Sequence, residues 1–242
     1  MRKAIAVIFI LLWSTVIPLS AFSESLSPQQ YLQQIKQRYG QIRDYQCRME
    51  EFAIGNGKRE ERIMNFYFKK PRLIRIDILK GNRPFDGGSV GVYTGGDKVS
   101  GHRGGVIKGL TFNIPKDSPL ATSVRGETID QSDMYSVIER FDRNLRSGEI
   151  TVEEKYSRLE FEYIPDDPTL NDGVTRDIMW IDRQSMLIIR NERFEGEMLV
   201  QRVMWTDYII NAGLPDELFD PRFEIEELEG RGIELLSQEL ED

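Results

Sequence analysis

The chain has 242 residues, 40% hydrophobic and 30% charged, with 40 acidic against 32 basic side chains and a net charge of −8. This balance suits a globular fold with a sizeable core and argues against a nucleic-acid binder, whose phosphate contacts need clustered Lys and Arg. One cysteine excludes an internal disulfide, and one histidine beside one unclustered cysteine is a poor basis for a metal site.

Arg2 and Lys3 precede an apolar run from Ala4 to Trp13, Pro18 breaks it, and Ala21-Phe22-Ser23 brings small residues to a cleavage position. Residues 1–23 therefore read as a secretory signal peptide cut near Ser23; the run is shorter than the roughly 18 apolar residues of a spanning helix. No cysteine follows it, so acylation of the chain itself is not expected. Removal takes away two basic residues and leaves the product more acidic.

Ser27-Pro28-Gln29-Gln30 has the spacing of a capping box with proline at the first helical position. Leu32, Ile35, Tyr39 and Ile42 follow at intervals of three or four, which predicts an amphipathic helix over 28–42. The period then changes to two: Tyr45, Cys47 and Met49 alternate with polar residues, and Cys47 reads as a small buried hydrophobe. Gly55-Asn56-Gly57 is a hairpin signal. Met64, Phe66 and Phe68 alternate in the next strand. After Pro71, Ile74, Ile76 and Ile78 share one face, with Arg75 and Asp77 on the other.

Val90, Val92 and Tyr93 form a further strand, followed by a turn at Gly95-Gly96-Asp97 and a strand through Val99. No Gly-Lys-Ser/Thr follows these glycines, so they read as hairpin turns and not as a phosphate loop. Residues 111–126, with two prolines, read as a loop. Met134, Val137, Ile138 and Phe141 predict a second helix capped by Asp130 or Ser132. Strands at 150–152, 156–164, 174–182, 186–194 and 198–210 follow with short turns and no long helix, so their pairing is expected to be antiparallel. From Phe223 the chain is an acidic tail, solvated or ordered in part through Ile225, Leu228, Ile233 and Leu235. The expected organisation is a signal peptide (1–23), a globular domain (24–222) and the tail (223–242).

No Gly-x-Ser-x-Gly or His-Glu-x-x-His motif occurs. Asp77, Asp177, Asp182 and Asp207 lie within strand patterns and read as partners of neighbouring arginines. No catalytic residue, metal or cofactor is assigned, and an enzyme is not expected. A single antiparallel sheet with one apolar face must cover that face. Two amphipathic helices can do so, which predicts an α+β fold: a strongly curved sheet, or incomplete antiparallel β-barrel, with helices as a lid over its concave apolar face. Such an interior binds apolar ligands unless the helices fill it.

Several stretches, taken in order, resemble the LolA/LolB-type periplasmic lipoprotein carriers: "QYLQQIKQRYGQIRDYQCRM", "FYFKKPRLIRIDI", "VYTGGDKV", "MWIDRQSMLIIRNERFEG" and "YIINAGLPDELFDP". They span Tyr31 to Pro221. The resemblance implies the incomplete, helix-lidded barrel just described, a periplasmic location, and shelter for lipid or the acyl chains of lipoprotein cargo, with possible inner- or outer-membrane partner proteins and no nucleic acid. Met64, Phe66, Phe68, Ile74, Ile76, Ile78 and Trp180 are expected to line the apolar cavity. Arg75 aligns with the family arginine that latches the lid by hydrogen bonds to a helix. Period two, however, sets Arg75 opposite the isoleucines unless a bulge intervenes, and an Arg75–Asp77 pair is the alternative. The long tail and Ile76, where the family has an aromatic, mark a divergent member. Envelope sensing or protein interaction on the same fold, without transport, is the competing function.

Overall fold

In the computed structural model, which describes residues 26–105, 110–228 and 231–240, the first element is helix α1, Pro28–Gly40. The expected signal peptide lies outside these residues. Ser27 Oγ accepts from the Gln30 amide at 3.3 Å and Gln30 Oε1 from the Ser27 amide at 2.8 Å, so the capping box forms in both directions. The second helix, α2, is Met134–Asn144. Its cap is Asp133, which accepts from the Ser136 amide at 3.2 Å, and not Asp130 or Ser132.

The strands are β1 (Asp44–Gly55), β2 (Lys58–Lys69), β3 (Leu73–Gly81), β4 (Ser89–Tyr93), β5 (Lys98–His102), β6 (Thr111–Pro115), β7 (Gly148–Glu154), β8 (Arg158–Pro165), β9 (Arg176–Asp182), β10 (Ile188–Glu195) and β11 (Met198–Ile210). They form one sheet in the order β6-β5-β4-β3-β2-β1-β11-β10-β9-β8-β7, and every pairing is antiparallel. Two meanders, β1–β6 and β7–β11, are joined along β1 and β11. The edges β6 and β7 do not pair with each other, so the barrel is incomplete. The β1–β2 hairpin closes through Asn56 and Gly57, both in the left-handed region at φ 53° and 69°, as a two-residue turn of this kind requires. Register shifts at Gln46/Arg48, Ile63/Met64 and Arg193/Phe194 bend the sheet.

Strand β6 falls where a loop was expected. Its prolines sit at the strand end and just beyond, while Phe112 pairs with Gly101 and Ile114 with Val99, an alternation short enough to be hidden among turn residues.

Both helices lie in the concave face. Tyr31, Leu32, Ile35 and Tyr39 of α1 and Met134, Val137, Ile138 and Phe141 of α2 join one buried cluster with Tyr45, Phe66, Ile74, Phe161 and Met179 of the sheet. Tyr45 stacks between Phe66 and Phe68, with centroids 5.8 and 5.1 Å away, and its hydroxyl accepts from the first amide of α2 at 3.3 Å. Cys47 is fully buried here. An ion pair of Lys36 with Asp142, 2.7 Å, ties the two helices together.

The convex face carries a second, smaller core. Tyr67, Val90 and Val92 of the sheet pack with Leu214, Leu218, Phe219, Ile225 and Leu228 of the segment after β11. Residues from Phe223, expected to be solvated or ordered in part, thus run along the outside of the sheet, with Ile225 and Leu228 buried. Gln46 Nε2 donates to the Glu234 carbonyl at 2.6 Å, and Arg48 and Asn65 each donate to the Ser237 carbonyl at 3.0 Å.

Candidate ligand cavity and its cover

The apolar stripes of the concave face do not run the length of the strands. On β1 the stripe Tyr45-Cys47-Met49 continues as Glu51; on β2, Phe66-Met64 continues as Arg62 and Glu60; on β11, Trp205-Val203 continues as Gln201. Cross-strand partners share the face: Met49 pairs with Trp205, Glu51 with Val203 and Asn191 with Val203. Where the stripes change from apolar to polar there is a cavity of about 140 Å³. Met49, Met64, Ile76, Val99, Val137 and Trp205 supply its apolar wall, and Glu51, Arg62, Asp86, Arg140, Asn191 and Gln201 its polar end.

Its cover is α2 with the segment 118–132 before it. This cover is held by polar contacts. Glu60, fully buried, accepts from the Val124 amide at 2.8 Å and is paired with Arg62 and, at 3.1 Å, with Arg83. Glu127 accepts from Arg193 Nη1 at 3.0 Å and from Gln201. Arg125 reaches the Ile54 carbonyl at 2.9 Å and Glu195 at 2.8 Å. On α2, Arg140 donates to Asp177 at 3.1 Å and to Asn191 at 2.7 Å, and Asn191 donates to Asp177 at 2.6 Å. Charges buried in this way persist because they are paired, and removing one partner of such a pair costs about 3–5 kcal/mol.

Burial pushes the Glu51 carboxyl up to about 7; Arg62, 3.9 Å away, opposes that rise, while Glu60, Glu127 and Asp86 reinforce it. Burial also lowers Arg193, aided by Arg140, and raises Asp86. Among the described residues no group of three or more His, Cys, Asp or Glu is placed to hold a metal ion, and no helix is long and apolar enough to cross a membrane.

No protein-family model matches the sequence, and no curated protein does. Solved structures do match. A conserved, uncharacterized protein from Thermus thermophilus is similar over 83% of this chain and 96% of its own, with a TM-score of 0.50 and 11% identity. A putative outer membrane lipoprotein-sorting protein domain from Vibrio parahaemolyticus matches over 79% of this chain and 95% of its own, at TM-score 0.42 and 12% identity. A LolA superfamily protein from Nitrosomonas europaea matches over 81% and 98%, at TM-score 0.37 and 8% identity. At a TM-score of 0.50 the chain shares its fold, an open antiparallel sheet with two helices in its concave face, with the Thermus thermophilus protein. At these identities the likeness is one of fold alone.

Within this fold the expected site residues divide. Met64, Ile76 and Ile78 line the cavity. Phe66, Phe68 and Ile74 are buried on the same concave face, under the helices and away from the cavity wall. Trp180 is on the other face. Its neighbours Met179 and Ile181 point inward, so Trp180 points out, where its indole N–H donates to Glu160 at 2.7 Å and the Arg190 guanidinium lies 5.0 Å from its ring centroid.

Arg75 is also on the convex face, because Phe68–Ile74 to Met64–Ile78 is a regular stretch of ladder with no bulge. It pairs with Asp77 at 2.7 Å and donates to the carbonyls of Leu218 at 3.0 Å and Phe223 at 2.9 Å. It latches the C-terminal segment and touches neither α1 nor α2. Besides the Tyr45 hydroxyl, Arg140 ties α2 to the sheet through Asp177 and Asn191. The sequence reading expected an arginine partner for Asp177 but missed Arg140 and Asn191, together with Glu51, Arg62, Arg193, Gln201 and Trp205. The available signal was a charged or amide residue at the parity of an apolar stripe.

Proposed function

We propose that this protein binds lipid-bearing molecules, taking acyl chains of lipoproteins or of other lipids into the concave space beneath α2 and residues 118–132, and that it does so in the periplasm. The supporting observation is a cavity with an apolar wall beneath a segment, residues 118–132, that is held mainly by ion pairs and hydrogen bonds. That segment can be exchanged for a ligand while α2, whose Met134, Val137, Ile138 and Phe141 belong to the main apolar core around Tyr45 and Phe161, stays in place. At about 140 Å³ the space is smaller than the roughly 300–1,000 Å³ usual for ligand pockets, so occupation requires the cover to move. Each methylene buried contributes about 0.8 kcal/mol, and a chain of eight or more offsets the loss of one buried latch.

Native mass spectrometry with lipid extraction, on protein purified gently from a periplasmic host, tests this reading. We expect a bound acyl lipid or acylated peptide, lost in Ile76→Asp with the thermal transition retained. A clean apo mass that takes up no added lipid would overturn it. The small size of the cavity also supports a second reading, an envelope sensing or protein-interaction module of the same fold without transport. In that case deletion alters a stress response and leaves lipoprotein localisation intact.

A further inference from the structure

Trp205 is 2% exposed and stands in the cavity wall, opposite Met49 on β1. Its indole N–H has no partner among the described residues. A buried indole N–H ordinarily finds an acceptor, and Trp180 does, in Glu160. The other neutral polar side chains at the cavity's polar end are already engaged: Gln201 with Arg193 and Glu127, and Asn191 with Arg140 and Asp177. Arg62 and Arg83 also have a buried Nε without a hydrogen-bond partner, but their guanidinium groups are held in ion pairs with Glu60 and Asp86. Trp205 is thus a buried neutral donor without a partner, beside an end where Glu51, Asp86 and Glu127 are matched by Arg62, Arg83 and Arg140. An acceptor attached to an apolar chain suits that position.

We infer that the cavity recognises acyl groups as esters or amides, with the Trp205 indole N–H donating to the acyl carbonyl oxygen while the chain lies against Met49, Met64 and Ile76. The inference rests on the lipid-binder reading and adds a recognition residue for the acyl carbonyl. Diacylglyceryl lipoproteins and glycerophospholipids share this ester chemistry, and the masses of extracted lipids distinguish them.

The test is an NMR titration of the ¹⁵N-labelled chain with methyl hexanoate and cyclohexane, following the Trp205 indole N–H against that of Trp180 as reference. Methyl hexanoate is expected to move the Trp205 proton downfield. Cyclohexane, which offers no acceptor, is expected to bind without that shift. Trp205→Phe should weaken the ester roughly tenfold and leave cyclohexane unchanged. Equal ester affinity in both chains with no indole shift overturns the inference and leaves the binder reading standing. Binding of neither ester nor cyclohexane overturns both.

Discussion

Glu51 shows what the concave face demands of a single residue. It occupies the next inward position after Met49, so the strand alternation that buries Met49 buries a carboxyl as well. With its folded pKa pushed up to about 7 against an ordinary value near 4.5, the folded state keeps this proton after the unfolded state has released it. Its contribution to stability is therefore fully present below about pH 4.5, falls as the pH rises toward 7, and is flat above that. The fall is at most about 3 kcal/mol. Glu51→Gln should flatten the pH dependence of the urea midpoint between pH 5 and 7 and leave the protein more stable than the parent at pH 8. An unchanged profile would mean that Glu51 ionises in the folded protein much as it does in water. This residue, its ion-pair partner Arg62 and nearby Gln201 were visible in the sequence only as the polar ends of apolar stripes. Nothing local separates a polar residue that ends a stripe in solvent from one that continues it under a loop, because the covering loop is brought in from about 60–75 residues away (Glu60 to Val124, Glu127 to Gln201).

At the scale of elements, Arg75 and the segment it holds have the clearest experimental signature. Asp77 is buried beside it, and burial raises the Asp77 carboxyl while Arg75 pulls it back. Arg75→Ala would leave that carboxyl unpaired and the carbonyls of Leu218 and Phe223 without their donor. The expected cost is about 3–5 kcal/mol, with faster proteolysis within 212–240. Arg75→Lys should restore little, since a single ammonium cannot span the Asp77 carboxylate and the carbonyls together. A lid latch would give the opposite pattern: altered cover dynamics and an unaffected C-terminal segment. The elements themselves were largely legible. The capping box at Ser27 and Gln30, the Asn56-Gly57 turn and the period-two runs each follow from local chemistry, and β3 carried the answer about Arg75 in its own alternation. Trp180 was misassigned for the complementary reason. Its strand, β9, is covered on both faces, so hydrophobicity did not reveal which way each side chain points. The path of residues 212–228 and 231–240 was legible only in part: Ile225 and Leu228 marked apolar anchors, whereas the carbonyls that accept from Gln46, Arg48, Asn65 and Arg75 leave no trace in composition.

For the whole molecule, the division between an apolar core and a polar-latched cover predicts a hierarchy of opening. Amides of β1, β2, β10 and β11 should exchange only on global unfolding, and those of residues 116–132 by a local opening of lower free energy, with α2 between them. Hydrogen exchange followed residue by residue measures this ordering; equal protection in the cover and in β1 would mean that the cover does not open separately. The sheet order has a further consequence, for how the chain is made. The strand at the centre, β1, needs β11 on one flank, so Tyr45 must wait for Ile210 to appear before the seam between the two meanders can close. As the chain emerges N-terminus first, β1–β6 is a half-sheet whose β1 edge has no neighbour and whose concave face has only α1 to cover it. Contacts this distant in sequence form slowly, and open edges of this kind pair with the wrong strands when chains are crowded. Until its last strand is delivered, this protein resembles a client of holding chaperones.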